Sequence, residues 1–308
     1  MTIEELNECM TGEDANEFIR VSEARQVKAI SKIADVACGR AGIRLVLLCG
    51  ASSAGKTTTA KRICTQLRVN YRNAMLLSTD DYFVGDARNP RDEQGNLDYE
   101  HIDCVDIPLL SADILTLLDG GQVRQRKFDF VRHEGFYTHE KLSLAKGGFI
   151  VLEGIHALNP RLTEGIPDSA KYRVFADPQP DLDVFGGIML SSANVRFLRR
   201  LVRDNRYRKM SPMMTLGMWP KVMEGEEKWI APFKGNADAV FDSYLPYELA
   251  VLKPYAAGLL EMARLDGGQS SFVMNMIRLL SIVVPAPADA VPGDSILRET
   301  IGGSQLEY

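Results

Sequence analysis

Short, continuous apolar runs alternate along this chain with longer stretches of helical periodicity. Ile43 to Cys49, Ala74 to Ser78, Phe149 to Leu152, Tyr172 to Ala176 and Ala239 to Phe241 have the length and composition of buried strands. Their alternation with helix-like segments predicts an α/β fold: a parallel sheet with helices on both faces. Ahead of the first strand, Val27, Ile30, Ile33, Ala34 and Ala37 recur at helical spacing within Thr2 to Gly39, which predicts an N-terminal helical arm. Beyond Leu265 a largely apolar run, Phe272 to Val284, is followed by PAPADAVPGDS, a proline-rich connector that cannot be a central helix or strand. The expected organisation is an arm over residues 1–40, an α/β domain over 41–266 and a C-terminal extension over 267–308. Sheets of this kind bind ligands at the carboxyl ends of their strands, so the residues just after each apolar run are the ones to inspect.

Composition narrows the picture modestly. The 308 residues can bury a substantial core, and 36 Lys plus Arg against 41 Asp plus Glu leave a formal charge of -5, which gives no global reason to expect nucleic acid or an anionic membrane as partner. Cys9, Cys38, Cys49, Cys64 and Cys104 form no CxxC pair and have no nearby histidines, so neither a disulfide framework nor a zinc site is suggested and a reducing cytoplasm fits. No apolar run approaches the length of a bilayer span, and MTIEELNE lacks the features of a signal peptide. Homo-oligomerisation is left open.

The first apolar run leads directly into Gly50–Thr57, GASSAGKT, and then into a helix-compatible AGKTTTAKRI. Strand, glycine turn and helix start are the context in which this P-loop pattern binds nucleotide phosphates. Gly50 and Gly55 let the backbone curl so that the N–H groups of Ala51, Ser52, Ser53 and Ala54 turn inward, and the helix N-terminus at Thr57 and Thr58 adds partial positive charge. Lys56 would reach the β and γ phosphates, and the Thr57 hydroxyl is a hard oxygen ligand suited to Mg2+.

Three further clusters follow later strands. STDDYF, Ser78 to Phe83, brings Asp80 and Asp81, either of which could take a proton from an attacking hydroxyl or could simply cap a turn. VLEGIH, Val151 to His156, ends on Glu153, placed to hold magnesium directly or through water, or else an ordinary acid in a strand-to-loop turn. RFLRRLVRDNRYR, Arg196 to Arg208, carries six arginines against Asp204. This could be a phosphate-backbone helix, a solvated face, or an early set on a helix followed by a late pair, Arg206 and Arg208, on a mobile lid that delivers guanidinium groups to a transferring phosphate.

With these clusters in order the chain resembles the uridine kinase family of P-loop phosphotransferases, over roughly Arg44 to Lys253. The stretches that carry the likeness are GASSAGKT, LLSTDDYF, LDYEHID, KFDFVRH, VLEGIHALNP, RRLVRDNRYR and GNADAVFDS. MWPKVMEGEEKWI and SILRETIGGS are similar to segments of bacterial uridine kinase-like proteins, many of which carry an additional N-terminal TGS-type domain that this sequence does not contain. The resemblance implies ATP and Mg2+ as cofactors and a small-molecule acceptor. It implies Asp80 as the base for the 5′-hydroxyl, and Thr57, Asp80 and Glu153 as the metal site. It also implies acceptor contacts from Tyr82, Phe83, Asp98, Arg200 and Arg203, with Asp98 and Arg200 at the ribose hydroxyls. Phe128 and His133 fall where a tyrosine and a histidine read the pyrimidine edge; Phe128 can stack but cannot hydrogen-bond.

The sequence thus points to a kinase of a ribonucleoside 5′-hydroxyl, uridine or cytidine most simply. A phosphoribulokinase-like kinase of a sugar or other small alcohol is the alternative acceptor class, and a non-catalytic nucleotide-binding module the alternative function. No NKxD sequence for reading guanine is present.

Overall fold

The computed structural model describes residues 1–268 and 270–307. In chain order its elements are α1 (Ile3–Thr11), α2 (Ala15–Gly39), β1 (Leu45–Cys49), α3 (Lys56–Val69), β2 (Ala74–Ser78), α4 (Ile107–Leu118), β3 (Gln122–Asp129), β4 (Glu134–Ser143), β5 (Phe149–Glu153), β6 (Lys171–Asp177), α5 (Ser192–Arg208), α6 (Pro212–Gly225), β7 (Ala239–Asp242), α7 (Glu248–Leu265), α8 (Ser271–Ile282) and α9 (Arg298–Ile301). The expected strands form one parallel sheet in the order β2-β5-β1-β6-β7, each within two residues of its expected ends.

Burial on both faces explains why these strands read as unbroken apolar runs. Along β1 the side chains alternate between two cores: Leu45, Leu47 and Cys49 pack with Ile150, Leu152 and α4, whereas Val46 and Leu48 pack with Val151, α2 and α3. The helical arm consists of two helices, α1 and α2. Thr2 caps α1 through a reciprocal pair of bonds with Glu5, and α1 packs with α5, α7, α8 and the last residues of the described chain in a third core.

A two-stranded antiparallel ribbon, β3–β4, stands apart from the sheet and has no counterpart among the expected strands. The arginine-rich segment also differs from expectation. It is one continuous helix through Arg208, capped at its start by Ser191 and closed by a left-handed Lys209, so Arg206 and Arg208 belong to its last turn and not to a loop. Among the described residues no helix is long and apolar enough to cross a membrane.

Candidate active site

Strand register brings the motifs together. Leu48, just before the P-loop, pairs with Glu153 at the end of β5, and Glu153 pairs in turn with Ser78 at the end of β2. The turns that follow these ends are held by close backbone approaches. A side chain at Gly50 would overlap the Ala176 carbonyl, and one at Gly154 would overlap the Thr79 hydroxyl.

The P-loop itself is braced from α5. Arg196 Nη1 donates to the Ser52 carbonyl and Arg199 Nη1 to the Ser53 carbonyl, each at 3.4 Å, and Arg200 Nη1 donates to Ser52 Oγ at 2.7 Å. These arginines are almost fully buried and their charge is compensated. Arg199 meets Glu248 at 2.7 and 3.0 Å, Arg196 meets Glu226 at 2.6 Å, and the fully buried Asp204 gathers Arg200, Arg203 and Arg208. Ser53 holds a left-handed conformation, φ 62°, next to Gly55 at φ 81°, and Ala51 accepts from Lys56 Nζ at 3.0 Å. Glu299, from far along the chain, accepts from Thr58 Oγ1 at 2.8 Å.

Around Lys56 lies a group of acids. Glu153 is buried and accepts from Ser78 Oγ at 2.6 Å; burial, with help from the charges of Asp80 and Glu299 and against Lys56, pushes its carboxyl up to about 7. Asp80 follows β2 in a single helical turn, its N–H bonded to Ser78 Oγ at 3.3 Å. Glu100, which sequence reasoning did not single out, joins them. Burial pushes it up to about 7, aided by Asp98 and Asp80 and opposed by Arg200 and Lys56, and its Oε2 is buried without a hydrogen-bond partner. Asp98 Oδ1 accepts from the Glu100 N–H at 3.0 Å. A signal for Glu100 was present, since it lies inside the LDYEHID stretch beside Asp98. His156, also buried, is pushed down to about 4 chiefly by desolvation, so it is neutral at pH 7.

Other expected residues divide. Phe83 and Phe128 meet edge to face at 5.5 Å and, with Phe130, make an aromatic trio beneath Arg208, whose guanidinium carbon is 5.9 Å from the Phe130 ring centre. Burial and Arg203 pull Arg208 down to about 10, which still leaves it cationic at pH 7, and Asp80 is among the charges it feels. His133, at φ 56°, sits with Nδ1 3.2 Å from Asp86 Oδ1 and 3.4 Å from the Tyr99 hydroxyl. Tyr82 turns away from these residues: it is 2% exposed and donates to Asp113 Oδ2 at 2.9 Å in the core beneath α4. Arg203 is occupied by Asp204, and Arg206 lies against Gly302 rather than near Asp80. Thr57, Asp80 and Glu153 offer one hydroxyl and two carboxylates. That donor set fits a magnesium ion, which prefers hard oxygens and keeps several waters; Glu153 is a buried carboxyl raised by desolvation and by the neighbouring Asp80 charge, and a cation there would offset both.

The sequence profile of the phosphoribulokinase / uridine kinase family matches residues 45–249. The chain belongs to the phosphoribulokinase / uridine kinase family. It is a P-loop kinase, and that family uses a nucleotide phosphate donor and a small-molecule acceptor. Among its relatives are the uridine kinase of Lactobacillus helveticus, 27% identical over 197 residues (64% of this chain, 84% of that enzyme), and the uridine kinase of Deinococcus deserti, 27% identical over 192 residues (62% and 83%). A solved structure of a possible uridine kinase from Bacillus stearothermophilus is similar over 71% of this chain and 98% of its own, at 22% identity and a TM-score of 0.45.

Proposed function

We propose that this kinase transfers the γ-phosphoryl group of ATP, with magnesium, to the 5′-hydroxyl of a ribonucleoside, uridine or cytidine foremost. The observation that carries this reading is the convergence of Asp80, Glu153 and Lys56 at the adjoining ends of β2, β5 and β1, with Asp80 among the charges that act on Arg208 at the end of α5. Donor phosphates rest on the N–H groups of Gly50–Thr58, and Lys56 exchanges its bond to Ala51 for the β and γ phosphates. Asp80 accepts the proton of the attacking hydroxyl, and Arg208 meets the charge that spreads over the transferring group. Thr57, Glu153 and Asp80 would hold magnesium, which would supply positive charge to offset that of the donor phosphates. A cation held there would favour the ionised form of the buried Glu153 carboxyl.

For the acceptor, Asp98 takes the ribose hydroxyls, the ring edges of Phe83 and Phe128 receive the base, and His133 reads its edge with Tyr99 and Asp86 behind it. The Tyr99 hydroxyl lies beside His133 and supplies a polar partner that Phe128 cannot. Arg200 acts on the acceptor through the P-loop and Glu100: its Nη1 donates to Ser52 Oγ and its charge is paired with Asp204. The test is an acceptor panel with MgATP, read by ADP release: uridine, cytidine, deoxyuridine, adenosine and free sugars. Efficient turnover of a sugar with none of any nucleoside would replace this acceptor by a phosphoribulokinase-like one.

A further inference from the structure

The stretch matched by the family profile ends at residue 249, inside α7, yet the chain beyond it returns to the helix that follows the P-loop. Residues 286–303 form a strap anchored on itself and on α7. The Ala286 N–H bonds to Ala250 O, and the Arg298 guanidinium holds the carbonyls of Ala288, Val291 and Gly302. Ser295, Ile296, Leu297 and Ile301 are buried, so the strap is a fixed part of the fold. It meets α3 at three points in its first two turns. Ile296 packs on Gly55, its Cγ2 2.7 Å from where a Cβ there would stand; Glu299 accepts from Thr58 Oγ1 at 2.8 Å; and Asp294 Oδ2 lies 4.0 Å from Arg62 Nε.

Glu299 thereby brings a carboxylate to the first turn of α3, bonded to the fully buried residue next to Thr57. Its charge reaches the acids already described. Glu299 is among the charges that act on Glu153, and Lys61, one turn past Thr57, feels Glu299 and Glu153 together, with Lys127 and Glu307. A hydrogen bond from the Thr58 hydroxyl needs no charge at its acceptor, since a neutral amide oxygen accepts it as well. The charge is therefore the feature of Glu299 that the bond leaves unexplained. Its sign is unfavourable for bare phosphates and favourable for a cation. Magnesium offsets part of the charge of a nucleoside triphosphate, so a carboxylate near the loop penalises the free nucleotide more than its magnesium complex. Lys61 divides its positive charge among Glu299, Glu153 and Glu307, three acids to one base.

We propose that Glu299 is a specificity-determining residue of the donor site: its charge, fixed beside the P-loop by Thr58, makes the loop discriminate against the free nucleotide in favour of the magnesium complex. The proposal rests on the reading of the P-loop as a magnesium–nucleotide site, and it adds to Asp80 and Glu153 a carboxylate from outside the stretch that the family profile matches. Glu299 acts by charge and by holding Thr58, not as a magnesium ligand.

Equilibrium binding of ATP to the full-length protein, once in excess EDTA and once in excess magnesium, tests it. The readout is the factor by which magnesium tightens binding, and inorganic tripolyphosphate under the same two conditions shows whether that factor belongs to the phosphates. Glu299→Gln keeps an acceptor for Thr58 and removes the charge. It is expected to tighten metal-free ATP about tenfold and the magnesium complex much less, so that the magnesium factor falls several-fold, a size that partly screened unit charges reach near a protein surface. Glu299→Asp, which keeps the charge, should hold the factor near that of wild type, and tripolyphosphate should follow ATP in each variant. An unchanged factor in Glu299→Gln would overturn the proposal and leave the strap as a support for α3. An equal fall in Glu299→Asp would also overturn it, because the loss would then follow side-chain shape and not charge, as would a response confined to ATP, which would put the effect at the nucleoside. Wild-type protein that binds neither ligand, or whose binding magnesium does not tighten, would overturn the magnesium–nucleotide reading and the role of Glu299 with it; a clear wild-type factor that survives in Glu299→Gln would overturn the role of Glu299 alone.

Discussion

Ser78 and Glu153 end adjacent parallel strands in register, and the Ser78 hydroxyl donates to Glu153 Oε1 at 2.6 Å, the one hydrogen bond that supports this buried carboxylate among the described residues. Removing it leaves a buried acceptor unsatisfied, which costs about 1–3 kcal/mol. Ser78→Ala should therefore lower the urea midpoint of the nucleotide-free protein, and added MgATP should restore most of the loss because the proposed metal gives Glu153 a new partner. A midpoint equal to wild type would show that Glu153 is satisfied some other way.

Asp80 carries the acid–base step in this account. Asp80→Asn should lower kcat by roughly 100-fold to 10,000-fold while ATP still binds, the usual size of positioned base catalysis. Lys56→Ala should impair both binding and turnover. Isothermal titration paired with initial rates separates the two effects, and near-normal turnover of Asp80→Asn would remove the base role from Asp80.

The two late arginines should part company. Arg208→Ala is expected to depress kcat by about 1,000-fold, because a guanidinium opposite developing phosphoryl charge is worth that much in related chemistry. Arg206→Ala should leave kcat at saturating ATP within a few-fold of wild type. Equal losses in kcat would place both on the transferring group.

The strands were legible in the sequence because parallel strands buried on both faces are written as unbroken apolar runs, and the P-loop because its chemistry demands glycines at fixed spacing. The β3–β4 ribbon was not. QVRQRKFD and EGFYTHEKLS are mostly polar, and solvent bathes much of both faces, so burial imposes little alternation on them. The arginines of α5 pointed to phosphate chemistry, but nothing in their order tells a guanidinium that faces ligand from one that braces the loop. That depends on Glu226, Glu248 and the buried Asp204, two of which come from other elements. Glu299 is hidden for the same reason, 241 residues from its partner Thr58. Tyr82 was carried over with Asp80 by the family resemblance, and its side chain instead bonds Asp113 in the core.

Glu100 sets a pH dependence that can be read on the nucleotide-free protein. Burial raises its carboxyl from 4.5 to about 7, so the folded protein holds this proton more tightly than the unfolded chain does. The resulting stability is fully present below pH of about 4.5 and is lost as pH rises through about 7, at most about 3 kcal/mol. Glu100→Gln should flatten the fall in urea midpoint between pH 5 and pH 8. A slope unchanged by the substitution would show that Glu100 titrates as an ordinary carboxyl.

The central claim is transfer to a ribonucleoside 5′-hydroxyl, and the product states it most directly. Wild-type protein, MgATP and uridine should be followed by phosphorus NMR to completion. The account predicts uridine 5′-monophosphate, its phosphorus coupled to the two 5′ protons, formed one for one with ADP. A phosphate on the 2′ or 3′ oxygen, or ADP released with no phosphorylated nucleoside, would contradict it.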